Sequence, residues 1–177
     1  MSFQKISYPS DKEKMYRLLE KQAQALTENV PHLISNLANI SALLGSALKD
    51  INWVGFYLIP KFFPAYYPLD QLQEKKDLLI VGPFQGLPAC VEIKVGNGVC
   101  GSAVAQNAVM LVPNVHEFPG HIACDSASNS EIVLPIHNSA GDVVGVLDID
   151  SPILERFDET DKNGLLKIVQ VLEGFIS

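Results

Sequence analysis

The sequence predicts an α+β fold in which two helices precede a single sheet and a third long helix closes the chain. Three observations carry that prediction. Apolar residues recur at helical spacing through the first quarter, six short β-type runs follow, and the last stretch returns to helical spacing. The 177 residues, 47% hydrophobic and 19% charged, are enough to bury one sizeable core, so one domain over 1–177 is expected, with 1–30 as an N-terminal helical segment.

Ser10-x-x-Glu13 has the form of a capping box, and Met15, Leu18, Leu19 and Leu26 then repeat at helical spacing over Lys12 to Thr27. Pro31 suits the first position of a second helix. Leu33, Leu37, Ile40, Leu44 and Leu48 form its apolar stripe. The predicted strands are Ile51 to Ile59, Asp77 to Gly82, Cys90 to Val95, Val109 to Pro113, Glu131 to His137 and Val143 to Asp150. The short turn-forming link Asn138-Ser-Ala-Gly141 makes the last two an antiparallel hairpin. A short helix is expected over Val99 to Gln106. Asp158 or Thr160 caps the final helix, whose buried face is Leu165, Ile168, Val169, Leu172 and Phe175. The segment Pro60 to Pro68, rich in proline and aromatics, replaces a tight turn between the first two strands. Four exposed aromatics there would be costly in water, which favours a flap or an interface element.

Charge and composition exclude several function classes. A formal net charge of -7, with thirteen basic residues spread along the chain, argues against a nucleic-acid footprint. Met1 to Pro9 has no signal-peptide pattern and no apolar run reaches membrane-spanning length, so a cytoplasmic location away from membranes is expected. The three cysteines, Cys90, Cys100 and Cys124, are an odd set without a C-x-x-C pair, which suits neither a disulfide framework nor a structural zinc site.

The cysteines differ in their surroundings. Cys124 lies in the Gly-led polar loop Gly120-His-Ile-Ala-Cys-Asp125, where an accessible thiol can ionise and attack. His121 either lowers that thiol's pKa or only hydrogen-bonds within the loop. Cys100 stands in Gly96-Asn-Gly-Val-Cys-Gly101, which formally matches the dinucleotide-binding glycine pattern but lacks a parallel βαβ setting. Cys90, at a strand start, is either core filling or a resolving thiol. A metal site from His121, Cys124 and a further cysteine has poor spacing.

In the last strand, Asp148 and Asp150 are two residues apart, so the pleat directs both to one face, after Val144 and Val146 on that same face. Pairing across the hairpin brings Glu131 near them. Three converging carboxylates raise at least one pKa, supply a proton donor and attract a cation, whether an ammonium group or a hard metal ion; the plainer alternative is a solvated strand end. Trp53, Gly55 and Tyr57 share one face of the first strand, where the two rings either wall a pocket or fill core.

Taken together, Asn52-Trp-Val-Gly-Phe-Tyr57, Gly82-Pro-Phe-Gln-Gly86, Gly98-Val-Cys-Gly101, Gly120-His-Ile-Ala-Cys-Asp125, Ser130-Glu-Ile-Val-Leu-Pro135 and Gly145-Val-Leu-Asp-Ile-Asp150 resemble the free methionine-(R)-sulfoxide reductases, enzymes built on a GAF domain. The resemblance runs from about Leu33 to the C-terminus. It implies a GAF-like six-stranded antiparallel sheet flanked by helices, commonly in a homodimer. It further implies Cys124 as nucleophile, Cys90 as its resolving partner and Cys100 as an auxiliary redox cysteine. Trp53 would face the substrate methyl group, with Tyr57 beside it, and Glu131, Asp148 and Asp150 would receive the ammonium group and protonate the oxygen. Thioredoxin would restore the enzyme, and neither metal nor organic cofactor is required. The Pro60 to Pro68 loop is longer than the family usually has. The alternative function is a stand-alone GAF sensor that binds a small ligand or cycles a disulfide without turnover.

Overall fold

The computed structural model describes residues 6–67, 77–120 and 125–176. His121, Cys124 and Pro68 lie outside them. Helices α1 (Lys12–Thr27) and α2 (Leu33–Ala47) lead into strand β1 (Trp53–Leu58), followed by β2 (Leu78–Gly86), β3 (Glu92–Lys94), helix α3 (Gly98–Gln106), β4 (Met110–Val112), β5 (Ser130–His137), β6 (Val143–Ser151) and helix α4 (Glu159–Glu173). The strands form one antiparallel sheet in the order β3-β2-β1-β6-β5-β4, as the resemblance implied.

Each sheet face has its own core because side chains alternate along a strand. Val54, Phe56 and Leu58 of β1 and Leu147 and Ile149 of β6 pack with α1, α2 and α4. Trp53 and Tyr57 of β1 and Val146 of β6 point to the other side, where α3 covers a smaller core. The candidate site residues sit on this second face.

Local chemistry departs from expectation in several places, among them the second helix, which starts at Leu33 and leaves Pro31 outside its first turn. The N-cap of α1 is Asp11, not Ser10, its carboxylate accepting from Lys14 N at 2.9 Å. The final helix is capped by Asp158 in a reciprocal capping box with Asp161. Its predicted face holds except at Phe175, which is past the last turn and exposed, while Ile176 is buried instead. Val144 packs on the helix side and not beside Val146, because the β5–β6 register shifts by one residue between Ile136 and His137. Between β1 and β2, Phe63 is buried and Phe62 and Tyr67 pack partly buried on the cores, leaving Tyr66 as the exposed ring. The described part of that segment therefore serves as core cover and not as a flap of exposed aromatics. Among the described residues no helix is long and apolar enough to cross a membrane.

Candidate active site

Strand β1 supplies one wall. Trp53 and Tyr57, with only Gly55 between them on this face, stack at 5.9 Å between ring centroids, and Phe84 of β2 also stacks on Trp53, at 5.2 Å. A Cβ at position 55 would lie 2.6 Å from the Trp53 ring and 2.3 Å from Phe84 Cβ, so only glycine allows the indole to lie across the strand. The polar ends of both rings are also used. Trp53 Nε1 donates to the Leu87 carbonyl at 3.2 Å, and the Tyr57 hydroxyl donates to the Cys90 carbonyl at 3.0 Å. The segment after β2, which carries Cys90, thus hangs from the two aromatic residues of β1.

Strands β5 and β6 supply the floor. Their register places Glu131 opposite Asp150 and Val133 opposite Asp148, and β1 sets Trp53 opposite Asp150 and Gly55 opposite Asp148. The three carboxylates predicted to converge do so, on the face that carries Trp53. Glu131 is 5% and Asp148 6% exposed. Helix α3 brings the Cys100 thiol into the same group, also buried.

Burial and mutual repulsion dominate the electrostatics. Glu131 is held well above the ordinary carboxylate value by burial, then by the charges of Asp148 and Asp150 and its hydrogen bond to Asp148. Asp150 is raised by burial and by Asp148. Asp148 is pushed up to about 6 by burial, while hydrogen bonds from the Cys100 thiol and the Glu131 carboxyl act in the opposite direction. The cluster therefore resists carrying three negative charges at once. Cys100 is raised by burial and by the neighbouring Asp148 and Glu131, so its thiol stays protonated. One Asp148 oxygen, Oδ1, is buried without a hydrogen-bond partner among the described residues. An anionic oxygen left bare in a protein interior calls for a cationic or donating ligand.

A single cavity joins these groups. Trp53, Tyr57, Cys100, Glu131, Asp148 and Asp150 all line it, together with Leu87, Pro88 and Ala89 of the hanging segment. Cys90 itself is disulfide-bonded and Cys100 is a free thiol. The glycine pattern at 96–101 has a packing role: a Cβ on Gly101 would meet the Lys94 carbonyl at 2.3 Å, and Gly96 and Gly98 adopt positive φ. It follows β3, an antiparallel edge strand, and builds the turn that delivers Cys100.

Sequence reasoning overlooked the polar side of the cavity. Asp125 and Ser128 line it, and both are held by Asn52, whose Nδ2 donates to Asp125 Oδ2 at 2.9 Å and to Ser128 Oγ at 3.0 Å. The Ala127 backbone N–H and then the Asn52 amide keep the Asp125 carboxyl below its usual value. A polar Asn directly before the apolar β1 run was the available signal.

A GAF-domain family model matches residues 24–174. The chain is 51% identical to Protein YtsP of Bacillus subtilis, covering 92% of this chain and 91% of that protein. It is 47% identical to the free methionine-R-sulfoxide reductase of Escherichia coli, covering 94% and 92%. Among solved structures, the free methionine-R-sulfoxide reductase of Neisseria meningitidis in complex with its substrate superposes with a TM-score of 0.87 at 38% identity, covering 99% of this chain and 96% of that one.

Proposed function

The chain belongs to the free methionine-R-sulfoxide reductases of the GAF-domain family, and on that premise we propose that it reduces free L-methionine-(R)-S-oxide to L-methionine with thiols as reductant. The observation that carries this reading is the buried carboxylate row beneath Trp53, with one oxygen of Asp148 lacking a partner among the described residues. A free amino acid offers an ammonium group to that oxygen, whereas in a peptide the same nitrogen is an uncharged amide. Trp53 supplies an apolar face for the substrate methyl group.

Cys124 attacks the sulfoxide sulfur as a thiolate while a protonated carboxyl of the row, Glu131 or Asp150, gives its proton to the departing oxygen. That hydroxyl passes to the Cys124 sulfur as its bond to the substrate sulfur breaks, so methionine leaves and Cys124 is left as a sulfenic acid. The Cys90 thiol condenses with it, releasing water and forming a disulfide. A thioredoxin dithiol then supplies two electrons by exchange and restores both thiols. The disulfide-bonded state of Cys90, beside a free Cys100, supports Cys90 as the resolving residue. Cys100 serves as an auxiliary thiol beneath the pocket. The enzyme works without a metal or organic cofactor, as a cytoplasmic homodimer.

The test is NADPH oxidation through thioredoxin reductase and thioredoxin. It is expected to depend on the free R-sulfoxide and to disappear in Cys124→Ser. Saturable binding without turnover in the wild-type protein would transfer the assignment to a GAF sensor.

A further inference from the structure

The floor of the cavity has a second chemical property. Cys100 Sγ and one carboxylate oxygen each from Glu131 and Asp148 lie within 4.8 Å of one another, and all three residues are buried. They come from α3, β5 and β6, so the sheet register and the Gly96–Gly101 turn hold them together. Asp148 adds an independent observation, because the residue lines the cavity, is 6% exposed, and its buried Oδ1 has no hydrogen-bond partner among the described residues.

We propose that Cys100, Glu131 and Asp148 bind a thiophilic divalent cation of the zinc class, which acts as an inhibitory ion in the substrate cavity and not as a cofactor. One sulfur and two carboxylate oxygens select such an ion over magnesium or calcium, which take oxygen ligands alone. Tetrahedral zinc with these ligands separates the donor atoms by roughly 3.3–3.6 Å, a spacing reached from the present one by small side-chain rotations. Three protein ligands leave the fourth position open to the cavity. On binding, the Cys100 thiol and the Glu131 carboxyl each release a proton. The dication therefore enters against two protons, and the trio keeps the net charge of -1 that it has when Asp148 alone is ionised. The ion and a substrate ammonium would both need Asp148, so one excludes the other. Binding of the ion does not depend on turnover, and its failure would leave the reductase reading intact.

The test is titration of the full-length protein, in its disulfide form, with cobalt(II) as a spectroscopic substitute for zinc. Wild type is expected to bind one equivalent with a thiolate-to-cobalt charge-transfer band that zinc abolishes and magnesium leaves in place. Cys100→Ser should lose the band, and Asp148→Asn and Glu131→Gln should each keep it but weaken binding at least tenfold. Trp53, the single tryptophan, reports by its fluorescence whether each variant keeps the pocket folded. No band in wild type, a band surviving in Cys100→Ser, or unchanged affinity in both folded carboxamide variants would overturn the proposal.

Discussion

The side-chain amide of Asn52 holds the Asp125 carboxylate at 2.9 Å, and Asp125 is the residue that follows Cys124 in the chain. Asn52 is itself fixed, its backbone N–H donating to the Asp150 carbonyl at 3.0 Å. It thus ties the chain just past the proposed nucleophile to the strand that carries the acids. Asn52→Ala removes both side-chain bonds, and kcat/KM for the free sulfoxide is expected to fall about tenfold, equivalent to about 1.4 kcal/mol. Asn52→Asp, which sets a second carboxylate against Asp125, should fall further. Steady-state kinetics alongside thermal melting separate the cases: a large loss of melting temperature with unchanged kinetics would make Asn52 merely structural.

Asp148 makes activity and stability respond to pH in opposite senses. Its carboxyl lies at about 6 in the folded chain against an ordinary value of 3.8. As pH falls through 6 it takes up a proton and the ammonium loses its counter-charge, so kcat/KM should drop, approaching tenfold per pH unit. The folded state binds more protons than the unfolded one between those values, so this group's contribution to stability is full below 3.8 and lost as pH rises through 6. Glu131 and Asp150, both raised, act in the same sense. Asp158 acts oppositely but lower: its bonds from Lys12 and Asp161 outweigh burial and hold it at about 2, so it withdraws stability only in more acidic solution. The melting temperature is therefore expected to rise from pH 7 to pH 5 while activity falls. Calorimetry checks this, and Asp148→Asn should flatten both trends and weaken use of substrate more than it weakens the fold.

Tyr57→Phe keeps the ring stacked against Trp53 and removes only the donor to the Cys90 carbonyl. A stability loss of about 1 kcal/mol is expected. KM should change little, but Cys90 would be less well placed for the second step, so a sulfenic acid on Cys124 should accumulate. Trapping with a dimedone probe during turnover measures it; identical trapping in wild type and variant would disprove the anchoring role.

The sheet and its functional face were legible because pleating is strict: Trp53 with Tyr57, and Asp148 with Asp150, share a face at any register. The short turn at Asn138–Gly141 was enough to bring Glu131 near the acidic pair, while the register shift between Ile136 and His137 is what sets it opposite Asp150. Val144 was misread because a bulge carries no pattern in a strand that is apolar on both faces. The aromatics after β1 were misread because composition identifies a loop but not the core beneath it, into which Phe63 inserts. Asn52, Asp125 and Ser128 escaped notice because their association spans more than seventy positions and depends on three short hydrogen-bonded side chains with no fixed spacing.

The segment bearing Cys90 hangs from the same two rings that wall the cavity, and this couples two traits that selection would otherwise adjust separately. A change at position 53 or 57 that reshaped the pocket for a bulkier sulfoxide would also disturb the arm that carries the proposed resolving thiol. New substrates are therefore more accessible through Leu87, Pro88 or Ala89, which line the cavity while the backbone carbonyls of Leu87 and Cys90 keep their tethers.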